Sequence, residues 1–134
     1  MLATLAVARE LQRIHDLNIL HGNIKPSNVL IYKNPDSGEY RAFFINFLWG
    51  YSIADEYSST TNAVPSNWPP ERMNNHKPVP KPSFNQDVYS LGSLFNKCIT
   101  KRAPYCISNF QSAAMEHWYH RPKLIYFIQS LEKA

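Results

Sequence analysis

The chain has 134 residues, 44% of them hydrophobic and 18% charged, with a formal net charge of +4 and a pI near 9.1. That is enough apolar material for the core of one globular domain, and the scattered Lys and Arg residues read as a solvated surface, not as a nucleic-acid or membrane-binding face. Cys98 and Cys106 form neither a disulfide framework nor a zinc site, since there is no CxxC pair and no His at ligand spacing from both. Reduced thiols in a cytosolic or nuclear protein follow, and the localisation expected is cytoplasmic. No apolar run approaches membrane-spanning length, and the LATLAVA segment after Met1 lacks a basic flank and a cleavage-like end.

From Leu2 to about Leu17 the apolar residues Leu2, Leu5, Ala6, Val7, Leu11 and Ile14 recur at helical spacing, with Arg9, Glu10, Gln12, Arg13 and Asp16 on the other face. The spacing predicts an amphipathic helix of about four turns. It leads into His21–Leu30, HGNIKPSNVL, the stretch whose residue types look most selected for chemistry. Val29–Tyr32 and RAFFIN at 41–46 then read as two short strands joined by a turn that contains Asn34, Pro35, Asp36 and Gly38. The second strand runs into Ile45-Asn46-Phe47-Leu48-Trp49-Gly50.

Tyr51 to about Asn67 is polar, with Ser58, Ser59, Thr60, Thr61 and Asn62 in succession, and reads as an exposed loop whose hydroxyls are candidate phosphosites. Pro65–Pro82 holds six of the ten prolines, KPVPKP included. Such a stretch is too stiff for a helix or a central strand, and a surface loop is favoured over a polyproline ligand. Asn85-Gln86-Asp87-Val88-Tyr89-Ser90-Leu91-Gly92 opens a helix expected from about Gln86 to Ile99. After a short loop at Thr100–Tyr105, Leu124, Ile125, Phe127, Ile128 and Leu131 give the last helix an apolar stripe suited to core packing. His117 and His120 stand among aromatics without further ligands, so no metal is assigned.

These segments, in this order, resemble the C-terminal lobe of the protein kinases. The decapeptide is similar to the family's catalytic loop, His-Arg-Asp-Leu-Lys-Pro-x-Asn, which follows a long helix. Lys25, Pro26 and Asn28 keep that pattern, while Gly22 and Asn23 stand where the family has Arg and Asp. Asn46-Phe47-Leu48 occupies the place of Asp-Phe-Gly, Pro69-Pro70-Glu71 that of Ala-Pro-Glu, and Asp87-Val88-Tyr89-Ser90-Leu91-Gly92 the opening of the central helix. Met115, Trp118, Arg121 and Pro122 with LIYFIQSLE resemble the closing part. The turn between the strands is similar to that of the unfolded-protein-response sensor kinase/ribonuclease group and its relative RNase L.

The resemblance implies a role for each matched residue. Asn23 takes the place of the catalytic base, and an amide can orient a hydroxyl but cannot accept its proton. A positioned base is worth about a hundred- to ten-thousandfold in rate, so loss of the charge implies little or no phosphoryl transfer. Asn28 and Asn46 take the places of magnesium ligands, and at Asn46 a neutral amide replaces the carboxylate that a hard cation prefers. Lys25 belongs to the catalytic set. His21 and Phe47 are structural members, Asp87 caps the backbone amides of the catalytic loop, and Glu71 is expected to pair with Arg121.

The fold class expected is mainly α with a small β-hairpin, a truncated kinase-like C-terminal lobe over 1–134. Its parts are a leading helix at 1–18, catalytic-loop and metal-loop region at 19–50, an activation-segment-like loop at 51–84, and central and closing helices at 85–134. The Gly-rich loop, strand Lys and Glu-bearing helix of the ATP-clamping lobe have no counterpart in this sequence. ATP and magnesium are implied by the family but are expected to bind poorly, so no cofactor is assigned. The function expected is that of a pseudokinase-like binding or regulatory module with a protein partner, a kinase being one candidate. Two alternatives stay open: a residual Ser/Thr kinase whose other lobe comes in trans or from a longer product, and an unstable kinase fragment.

Overall fold

The computed structural model describes residues 3–47, 51–52, 69–70, 83–99 and 123–133. The first helix, α1 (Ala3–Asp16), buries Leu5, Val7, Ala8, Leu11, Ile14 and His15. Its other flank carries the ion pair of Arg13 with Glu10 and the Gln12 Nε2 bond to Asp16 Oδ1 at 2.8 Å, each one turn apart and each adding a few tenths of a kcal/mol. The helix ends where Asn18 turns left-handed at φ +58°, its N–H donating to His15 O at 2.8 Å. Asn is among the few side chains that tolerate this conformation, which closes helices by satisfying their last carbonyls.

The chain then forms β1 (Ile19–Leu20), a 3-10 turn at Pro26–Asn28, β2 (Val29–Lys33), β3 (Tyr40–Phe44) and β4 (Tyr51–Ser52). β2 and β3 pair antiparallel from Val29 opposite Phe44 to Lys33 opposite Tyr40. Their turn is closed by Asn34, whose Oδ1 accepts from the Asp36 and Ser37 amides, and by Gly38 at φ +72°, a conformation without penalty for glycine. A second antiparallel pair joins β1 to β4, Ile19 opposite Ser52 and Leu20 opposite Tyr51. Tyr51–Ser52 is therefore strand where the sequence reads as loop. Two residues carry no periodicity, and only a partner distant in sequence makes them a strand.

Two more helices complete the described residues: α2 (Phe84–Ile99) and α3 (Leu124–Lys133). α2 begins two residues earlier than expected, with Ser83 O accepting from Gln86 N–H at 3.0 Å. Val88, Leu91, Leu94 and Phe95 of α2 and Leu124, Phe127, Ile128 and Leu131 of α3 bury their apolar faces in one cluster with α1. Phe95 and Phe127 stack with ring centroids 6.0 Å apart. Ile125, included in the expected stripe, is instead 45% exposed. The buried positions run i, i+3, i+4, i+7 from Leu124, and residue i+1 falls outside that arc. α1 touches β1, β2, β3, α2 and α3, so it is the element on which the others are assembled.

The described architecture is thus helical with small antiparallel strand pairs. The Ser58–Asn62 run, the KPVPKP stretch, Glu71, Cys106, His117, His120 and Arg121 lie outside the described residues. Pro69 is buried.

Candidate functional site

The site begins with one carboxylate. Asp87 lies in the first turn of α2, where the helix dipole favours negative charge, and it is buried. Its Oδ2 accepts from the His21 backbone N–H at 2.8 Å and from His15 Nε2 at 2.9 Å; its Oδ1 accepts from the Gly22 N–H at 3.0 Å. A buried carboxylate demands such donors, because unpaired it would bear a full desolvation cost. One side chain thereby ties α1, the loop at 21–28 and α2 together. Gly22 turns at φ +78°, where glycine alone is free of steric cost, and this turn presents two successive amides to Asp87.

His21 is fully buried, with its ring 5.3 Å from that of Phe44 and 4.6 Å from that of Phe47. Its two nitrogens have opposite duties. Nε2 donates to Ile45 O at 3.0 Å, because a carbonyl can only accept, and Nδ1 accepts from the Asn23 N–H at 3.2 Å. The two bonds select the neutral, Nε2-protonated tautomer. Burial pushes the imidazole below its ordinary pKa, opposed by the bond to Ile45 and by the charge of Asp87.

Asn23 is 4% exposed, and both of its backbone polar groups are hydrogen-bonded. Its N–H goes to His21, and its carbonyl accepts from Asn28 Nδ2 at 2.9 Å. Its side-chain Oδ1 is buried without a hydrogen-bond partner. Asn28 is buried too, and its own carbonyl accepts from the Ile45 N–H at 3.0 Å, which fastens the strand leading to Asn46. Asn46 is exposed and left-handed at φ +62°; Phe47 is exposed with its edge on His21. Asn shares with Asp the ability to hold that backbone conformation, so an amide can stand there without refolding the loop. Lys25 is exposed.

The structure therefore brings His21, Asn23, Asn28 and Asp87 into one hydrogen-bonded cluster, with Asn46 and Phe47 at its rim and Lys25 on the surface. Glu71 and Arg121 lie outside the described residues. Ile45 escapes a sequence reading, since it acts through backbone atoms alone and leaves no signature, while His15, the His of RIHDLNILHGN that matches the kinase pattern ahead of the loop, joins the cluster through Asp87.

Chemically, Asn23 Oδ1 can accept a hydrogen bond but, as an amide oxygen, cannot take the donor's proton. Asp87, the one carboxylate among these residues, is committed to three donors. Among the described residues of the cluster and its rim, the side-chain groups left for a cation are the neutral amides of Asn28 and Asn46, whereas magnesium takes carboxylates beside phosphate oxygens. Among the described residues no group of three or more His, Cys, Asp or Glu is placed to hold a metal, and no helix is long and apolar enough to cross a membrane.

No family model matches the chain. It is 26% identical over 110 residues, 82% of its length, to a probable inactive receptor kinase of Arabidopsis thaliana, of which it covers 10%. It is 30% identical over 94 residues, 65% of its length, to the serine/threonine-protein kinase tousled-like 2 of Homo sapiens, of which it covers 12%, and equally to that of Xenopus tropicalis, of which it covers 14%. The chain thus spans between 10% and 14% of the length of these relatives. The likenesses are distant and partial, and they point to a relationship with the protein kinases.

Proposed function

We propose that the chain is a pseudokinase-like module, the counterpart of a kinase C-terminal lobe, that binds or regulates a protein partner without transferring phosphate. The observation that carries this reading is the contrast between its acidic and amide positions. Asp87, which does structural work, keeps its carboxylate and three donors, while Asn23 and Asn46, in the places of the base and of a magnesium ligand, are amides. An Asp-to-Asn change keeps volume and hydrogen-bonding shape and removes charge, so the scaffold persists without the chemistry. One of the relatives is itself described as probably inactive, which fits this reading.

The hairpin face that carries Leu30, Tyr32 and Phe43, each about half exposed at 51%, 52% and 49%, supports a protein partner, since apolar patches of this kind are covered in complexes. A kinase is the partner to test first, in the cytoplasm. The turn at 34–40 is similar to that of the sensor kinase/ribonuclease group, which is the sub-family this reading carries. The second reading, a residual Ser/Thr kinase completed by another lobe, is favoured by Lys25 and Asn28, which match the family loop, and by the similarity to tousled-like 2.

The test is transfer of radiolabelled phosphate from ATP to a mixed Ser/Thr peptide pool, in the presence of candidate partner kinases made inactive by mutation. The chain should transfer none above background, and the double variant Asn23→Asp/Asn46→Asp should gain transfer if the remaining machinery is competent. Transfer by the unaltered chain that is lost in Lys25→Ala would refute the pseudokinase assignment.

A further inference from the structure

β2 is the outer strand of the hairpin. α1 packs against β3, where Ala42 and Phe44 are buried, whereas Leu30, Ile31, Tyr32 and Lys33 of β2 are exposed. Ile45 N–H donates to Asn28 O at 3.0 Å and Asn34 N–H to Glu39 O at 2.8 Å, which sets the parity of the ladder. Bonded and non-bonded pairs alternate in an antiparallel ribbon, so Leu30–Phe43 and Tyr32–Arg41 are bonded pairs. The N–H and C=O groups of Val29, Ile31 and Lys33 consequently point away from β3. The Val29 N–H is taken up locally by Pro26 O, and among the described residues no other strand pairs with β2.

An open edge pairs with another strand unless something blunts it, and a lysine on the edge is a common guard. Lys33, the one charged residue of β2, instead holds its Nζ over the Tyr40 ring, 5.4 Å from the centroid, so its charge is drawn back across the hairpin. The middle of the edge is Ile31, apolar and 51% exposed.

We propose that the edge of β2 docks the same edge of a second copy of this chain, antiparallel about a two-fold axis, to give one continuous sheet. The register makes the edge its own complement. Outward groups must meet outward groups, and only the register with Ile31 opposite Ile31 of the second copy overlaps all five residues of both strands. It sets Tyr32 opposite Leu30 on one face, an aromatic–aliphatic pair beside Phe43, and Lys33 opposite Val29 on the other, so no like charges meet. Main-chain bonds then run both ways between the two Ile31 residues and from each Lys33 N–H to the Val29 C=O opposite. Such a contact is isologous and closes at two chains. It stands whether or not the chain transfers phosphate.

The test is sedimentation velocity of the full chain from low micromolar to a few hundred micromolar, since five paired residues make a small interface of the weak class. The mass should rise with concentration from 15.5 kDa toward twice that value and no further. Ile31→Lys and Ile31→Glu each set like charges face to face and should weaken the association at least about tenfold, while an equimolar mixture of the two should restore it as a heterodimer. Ile31 is exposed, so both variants should keep the cooperative melt of the unaltered chain. If either does not, Leu30→Lys mixed with Tyr32→Glu, the next opposed pair in the same register, takes their place. A chain that stays monomeric throughout, dimers indifferent to charge at Ile31, folded variants that do not recombine, or growth past two chains would overturn the proposal.

Discussion

At His21 two hydrogen bonds with opposite requirements leave room for only one protonation state. Nε2 must donate to Ile45 O and Nδ1 must accept from Asn23 N–H, so a second proton would set N–H against N–H inside a buried cluster. The folded pKa lies below that of the unfolded chain, near 6.5, so the unfolded state binds more protons on acidification. The contribution of His21 to stability is complete above about pH 6.5 and is lost as the pH falls through that value toward the depressed folded pKa. By NMR the His21 ring protons should titrate with a midpoint below about 6.5, and a midpoint at or above it would contradict the depressed pKa. Asp87 makes a different demand, two oxygens that both accept. Asp87→Asn leaves one acceptor oxygen for three donors and should cost about 2–4 kcal/mol in urea unfolding, with a change under 1 kcal/mol contradicting the bridging role. His21, Asn23, Asn28 and Asp87 are picked out by the resemblance of HGNIKPSNVL and DVYSLG to the kinase catalytic loop and central helix. The Ile45 carbonyl is not, and the bond of His15 to Asp87 exists only once α1 and α2 have come together.

Among the elements, those with a run long enough to show a period are legible in the sequence. α1 and α3 display their apolar stripes, and β2 and β3 are bracketed by a turn whose Asn34 and Gly38 have local reasons to be there. The β1–β4 pair is hidden, since each strand has two residues and its stability comes wholly from the other. Boundaries slip for a related reason: Phe84 joins α2 through tertiary contact with His15, ring centroids 4.5 Å apart, which no local signal announces. The correction at Ile125 yields a paired prediction. Phe127→Ala removes a fully buried ring stacked on Phe95 and should cost about 3–5 kcal/mol, whereas Ile125→Ala should stay within about 0.5 kcal/mol. Equal losses in chemical denaturation would mean that α3 is rotated from the orientation described.

For the whole molecule, the organisation separates what holds the fold from what would perform chemistry. α1 carries the core on one flank and the Arg9 and Arg13 pairs on the other, and Asp87 joins it to the loop and to α2. The side chains of Asn23 and Asn46 supply none of these supports. A chain with this division should melt as one cooperative unit and should be indifferent to nucleotide. A ligand at a hundred times its Kd stabilises a protein by about 2.7 kcal/mol, on the order of 10 °C in a domain of this size. The most direct measurement is therefore the melting of the purified chain with and without millimolar ATP and magnesium. A cooperative transition that does not move is the result expected of a non-catalytic module. A rise of several degrees that requires magnesium would contradict it and make the residual kinase the better description.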